Sequence, residues 1–160
     1  MIVREIMTSD VRTCAPENDL AAAAKTMWDR DCGFLPVVDR YGKVAGVITD
    51  RDICRVVAAK HRTADHIAVS TTMSHPVFAC FPHENLKTVL VTMAKHHVRR
   101  LPVLDKTGHL QGVLSLDDVV RAPRRRGAPT SDEIVDAFKT ICERRTVELA
   151  PAEGGGAHVT

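Results

Sequence analysis

The chain has 160 residues, 44% hydrophobic and 26% charged, with a formal net charge of +2. That length buries roughly 70% of the surface exposed on unfolding, enough for a core without staples, and so small a charge does not by itself call for nucleic acid or an anionic membrane. Five cysteines with no Cys-x-x-Cys pair argue against a disulfide framework or a structural zinc site and fit a reducing cytoplasm, the expected location.

The first residues, Met1-Ile2-Val3-Arg4-Glu5, carry acid early and lack a long apolar run, so neither a secretion signal nor a membrane span is expected. A helical or irregular lead-in (3–7) precedes an extended segment (11–14) ended by Pro16. Asn18 or Asp19 can cap a helix whose apolar residues Leu20, Ala23, Ala24, Met27 and Trp28 recur at helical spacing, with Gly33 closing it. Trp28 is expected in core or dimer packing. Residues 34–38 read as a buried strand held to an edge or irregular start by Pro36, and 44–49 as its hairpin partner. A helix over 50–60 puts Ile53, Val56 and Val57 on one face. The polar stretch 61–72 reads as a linker, with Ile67 and Val69 as anchors.

The whole pattern then recurs. Gly46 and Gly112 lie 66 positions apart (112 − 46), and the same offset aligns Met7 with Met73, Cys14 with Cys80, Pro16 with Pro82 and Leu35-Pro36-Val37 with Leu101-Pro102-Val103. The second unit has an extended segment at 77–80, a helix over 85–97, strands at 101–104 and 110–115, and a helix over 116–121. The fold class is therefore α+β: tandem β-α-β-β-α repeats over 1–62 and 63–122. Three short strands leave one side of a sheet bare, so the units are expected to pack as a pseudo-twofold pair. Beyond a basic linker (123–129), Thr130-Ser131-Asp132-Glu133 has capping-box spacing and opens a helix over 130–146, before a tail (147–160) expected to be disordered.

The chemistry concentrates at Gly46-Val47-Ile48-Thr49-Asp50-Arg51-Asp52 and its counterpart Gly112-Val113-Leu114-Ser115-Leu116-Asp117-Asp118. Each runs a strand into a helix, where backbone N–H groups hold an anion. The plainer alternative is a capped helix start, although a simple cap does not call for the aspartate three places on. His96 and His97 are adjacent on a helix, point about 100° apart and are poorly placed to share a metal. Cys14 and Cys80 read as buried apolar residues. Arg124 to Arg126 read as a solvated linker without a recognition helix, so nucleic-acid binding is not expected. No nucleophile elbow, P-loop or zinc-hydrolase pair is present, so no catalytic residue is assigned.

A tandem β-α-β-β-α repeat with a Leu-Pro-Val strand and a Gly-aliphatic-x-Thr/Ser-x-x-Asp signature in both halves resembles a CBS-domain pair, a family named after cystathionine β-synthase. The resemblance covers about three quarters of the chain. It implies a non-enzymatic sensing module that binds an adenosyl ligand (AMP, ADP, ATP, NAD or S-adenosylmethionine) in clefts between the repeats, forms a homodimer and acts on an output protein, with no required cofactor. By resemblance Asp52 and Asp118 accept the ribose hydroxyls and Thr49 and Ser115 face phosphate or ribose. The base lies by Thr13, Phe34, Leu35 and Pro36 in one site, and by Ala79, Arg100, Leu101 and Pro102 in the other. Arg51 or Arg100 is expected to hold phosphate. A ligand-free dimerisation scaffold, its clefts filled by side chains, is the alternative.

Overall fold

The computed structural model describes residues 1–143, so the last part of the expected C-terminal helix and the expected tail lie outside the described residues. The elements are α1 (Leu20–Asp29), β1 (Phe34–Val38), β2 (Val44–Thr49), α2 (Asp50–Lys60), α3 (Leu86–His96), β3 (Arg100–Leu104), β4 (Leu110–Ser115), α4 (Leu116–Arg121) and α5 (Ser131–Cys142). Single 3-10 turns stand at Val3–Glu5, Ala64–His66 and Val69–Thr71. The architecture is mixed, with two small antiparallel sheets, β1 with β2 and β3 with β4. Alternation places Leu35, Val37 and Ile48 on the buried face of one, and Leu101, Val103 and Leu114 on that of the other.

The extended segments 11–14 and 77–80 join these sheets only through single parallel bridges, Cys14 to Val37 and Cys80 to Val103. Cys14 donates to the Pro36 carbonyl at 3.2 Å and accepts from Val38 at 2.8 Å. The next rung of a parallel ladder needs an N–H from the residue at 36, and proline has none; Pro102 stops the second ladder in the same way. Asp19, not Asn18, caps α1, accepting from Ala22 N at 2.7 Å, while Asn18 accepts from Ala15 N. The left-handed residue after α1 is Asp31 (φ 47), so Gly33 does not close the helix. A Cβ at Gly33 would meet Asp50 Oδ2 at 2.6 Å, which accounts for the glycine by close approach. Trp28 is not in the core: it is 87% exposed, and α1 buries Leu20, Ala23 and Met27 instead.

Stretch 61–72 is no linker. Ile67 and Val69 are buried in the first core with Leu20, Leu35, Val37 and Ile48, whereas Val3 is buried in the second with Leu86, Met93, Leu101 and Leu114. Each lead-in thus completes the core of the opposite repeat. The hydrogen bonds repeat at the same offset: Val3 N to Glu84 O at 3.0 Å and Leu86 N to Met1 O at 3.2 Å match Val69 N to Asn18 O at 2.8 Å and Leu20 N to Ile67 O at 2.9 Å. Past the lead-ins, Thr8 exchanges two backbone bonds with Val113 on β4, and Ser74 two with Val47 on β2. These crossings run over the signature glycines. A Cβ on Gly112 would lie 2.7 Å from Thr8 O, and one on Gly46 2.6 Å from Met73 Sδ.

Thr130 caps α5 through the expected capping box with Glu133. The helix packs on α3, adding Ala137 and Ile141 to the second core, and Lys87 Nζ meets Glu133 Oε1 at 2.9 Å. Among the described residues no helix is long and apolar enough to cross a membrane.

Gly112→Ala is expected to lower unfolding free energy in urea by about 1–3 kcal/mol, because its Cβ strikes backbone. Gly46→Ala should cost less, since the thioether of Met73 swings aside. A Gly112→Ala protein as stable as the parent would contradict the close crossing.

Candidate ligand cleft

Each strand–helix junction is fastened by its own side chains. Thr49 caps α2: its Oγ1 accepts from Asp52 N at 3.2 Å, and Asp52 Oδ2 accepts from Thr49 N at 3.1 Å and Thr49 Oγ1 at 2.6 Å. Ser115 and Asp118 repeat this on α4, with Oδ2 accepting from Ser115 N at 2.8 Å and Ser115 Oγ at 2.7 Å. These are capping boxes, so the cap does use the aspartate three places on, contrary to the simple-cap expectation. In both carboxylates Oδ2 carries the fastening and Oδ1 takes no part in it.

A cleft of about 340 Å³ opens beside the second junction, between the repeats. The exchanged lead-in brings Thr8, Asp10, Val11 and Arg12 to it, the end of α1 brings Arg30, Asp31 and Cys32, and the strand starts bring Phe34 and Arg100. β4 and α4 add Val113, Ser115, Asp117 and Asp118. One cleft therefore joins Phe34, assigned from the sequence to one site, with Arg100, Ser115 and Asp118, assigned to the other. Arg30 Nη2 lies 3.7 Å from Asp10 Oδ2, both side chains well exposed.

The other sequence-assigned residues lie elsewhere. Leu35, Pro36, Leu101 and Pro102 have buried side chains and offer only backbone, two of their carbonyls already accepting from Cys14 and Cys80. Thr13 and Arg51 are exposed and do not line this cleft, and Ala79 is half-buried. Thr49 and Asp52 form the matching junction of the first repeat. There the counterparts of Arg12 and Arg30 are Phe78 and His96, whose rings stack with centroids 3.7 Å apart at 18°. The repeats thus differ at these positions: arginines in one, a stacked aromatic pair in the other.

Sequence reasoning missed Asp10, Arg12, Arg30, Asp31 and Cys32. Arg12 and Arg30 break the repeat, and that departure was the available signal; nothing local marks the others. Among the described residues no group of three or more His, Cys, Asp or Glu is placed to hold a metal ion. Burial pushes the Cys14 thiol up to about 11, and burial with the nearby Glu84 carboxylate pushes that of Cys80 to about 12. Neither is a nucleophile at neutral pH.

The CBS domain family model matches residues 3–59 and 67–125. The CBS domain-containing protein YhcV of Bacillus subtilis is 34% identical over 117 residues, 73% of this chain and 81% of that protein. The human 5'-AMP-activated protein kinase subunit gamma-3 is 35% identical over 102 residues, 59% of this chain but only 20% of its own length. The crystal structure of the CBS-domain pair of protein MJ0100, in complex with 5-methylthioadenosine and S-adenosyl-L-methionine, superposes with a TM-score of 0.70 at 25% identity, covering 76% of this chain and 94% of that one.

Iodoacetamide at pH 8 should label exposed Cys54 and Cys142 rapidly, and Cys14 and Cys80 only on unfolding, as read by peptide mass spectrometry. Labelling of Cys14 at the rate of Cys54 would contradict its burial.

Proposed function

The chain belongs to the CBS-domain family as a tandem pair, and on that premise we propose that it is a non-enzymatic regulatory module of the cytoplasm that binds an adenosine-containing ligand in the cleft beside Ser115 and Asp118. The observation that carries the reading is the division of labour in Asp118. Oδ2 holds the start of α4 and Oδ1 remains for a ligand. An ionised carboxylate is the natural acceptor for a ribose hydroxyl. Phe34 offers a face for the base. Arg12 and Arg100 supply positive charge for an anionic tail, and Asp10, Asp31 and Asp117 temper it. The adenosyl ligands of the MJ0100 pair and the AMP in the kinase subunit's name support the ligand class. Occupancy shifts a conformational equilibrium only through unequal affinity for two states, and the response passes to an output protein.

A second reading, a ligand-free scaffold, draws on the Phe78 and His96 stack, which fills with side chains the positions that Arg12 and Arg30 take beside the open cleft.

Titration calorimetry against AMP, ATP, NAD, S-adenosylmethionine and 5-methylthioadenosine separates the two. Asp118→Asn keeps an oxygen for Ser115 N and should weaken binding at least about tenfold, the scale of a charged hydrogen bond, while lowering the melting temperature only slightly, because the amide oxygen still caps α4 but without the charge. Bound ligand should also slow alkylation of Cys32. Heat from none of the ligands favours the scaffold, and unchanged affinity in Asp118→Asn removes the ribose role.

A further inference from the structure

We propose that the cleft beside Ser115 and Asp118 selects an adenosyl ligand with an amino-acid tail, one that joins positive charge to a single carboxylate, over adenine nucleotides with phosphate tails. The inference rests on the adenosine reading above and narrows it. Its basis is the charge of the lining. Arg12, Arg30 and Arg100 meet Asp10, Asp31, Asp117 and Asp118 there, so carboxylates outnumber guanidinium groups by one. Arg30 and Asp10 lie 3.7 Å apart and offset each other. Asp118 holds the start of α4 through Oδ2 and, on the reading above, the ribose through Oδ1. What remains for the tail is Arg12 and Arg100 with Asp31 and Asp117, none of which forms an ion pair with a described residue.

Two observations set the acids apart. The first is the internal repeat. Asp118 has the acid Asp52 as its counterpart, but the counterparts of Asp10, Asp31 and Asp117 are Pro76, His97 and Arg51. Three of the four carboxylates are therefore peculiar to one copy, and neither capping box uses them. The second is their arrangement. Among the described residues no group of three or more His, Cys, Asp or Glu is placed to hold a metal ion, so these acids are not set around a cation that would bridge them to phosphate. A polyphosphate brings several negative charges to a lining that already has one in excess, and like charges drawn together in a cleft repel. An amino-acid tail meets a partner for each of its groups. Its carboxylate suits the fork of an arginine, and its ammonium and sulfonium suit the aspartates.

Titration calorimetry of the full chain against 5-methylthioadenosine, which has no charged tail, sets the reference. S-adenosylmethionine should bind at least about tenfold more tightly than that reference, the scale of one screened ion pair. ATP should bind at least about tenfold more weakly than S-adenosylmethionine, with or without magnesium. S-adenosylhomocysteine, which lacks the sulfonium charge, should fall between S-adenosylmethionine and the reference. Asp31→Asn combined with Asp117→Asn should abolish the preference, weakening S-adenosylmethionine and strengthening ATP, with unchanged circular dichroism. Asparagine tolerates the left-handed backbone of residue 31 (φ 47). ATP bound as tightly as S-adenosylmethionine, or a preference unmoved in the double variant, would overturn the inference and leave the adenosine site standing. Binding of no adenosyl compound would overturn both.

Discussion

Each half of the molecule borrows from the other the segment that closes its own core. Val3 and Val69 are fully buried, and each is worth roughly 1.5–3 kcal/mol to the repeat that it enters rather than to the one that it precedes. The exchanged backbone bonds are the same in both directions, so neither repeat has a complete core or a complete set of partners alone. The expected pairing of the units is present, but each hairpin closes its own core, and what covers it from the other unit is the exchanged lead-in.

The position of the cleft follows from that exchange. After filling the second core the lead-in crosses β4 at Gly112 and continues as Thr8 to Arg12, which places Asp10 and Arg12 beside Ser115 and Asp118. The end of α1 and the start of β1 approach from the other repeat. A site at the seam of two repeats thus needs no loop of its own.

Much of this was legible in the sequence because it repeats. The offset revealed the hairpins, both capped junctions and the helix boundaries, since glycine, proline and capping residues answer to local geometry. What remained hidden was which core a lead-in enters: Val3 and Val69 have the same apolar neighbours either way, and periodicity carries no information about crossover. Hence 61–72 reads as a linker. Asp31 stands in a left-handed conformation that glycine usually takes, which misassigned Gly33. The cleft was split between two sites because Phe34 and Asp118 are joined only through the crossover. Trp28 fits a helical apolar stripe that its exposure does not honour.

Helix α4 is six residues long and has a different neighbour on each side. Asp117 and Asp118 face the cleft, Val119 and Val120 face a groove between α4 and α5, and Asp117 borders both. A helix of under two turns has no interior in which to absorb a displacement, so a tug on its first turn is a tilt of the whole element. The two hollows share a party wall. Contacts made on either side are therefore carried by the same short helix.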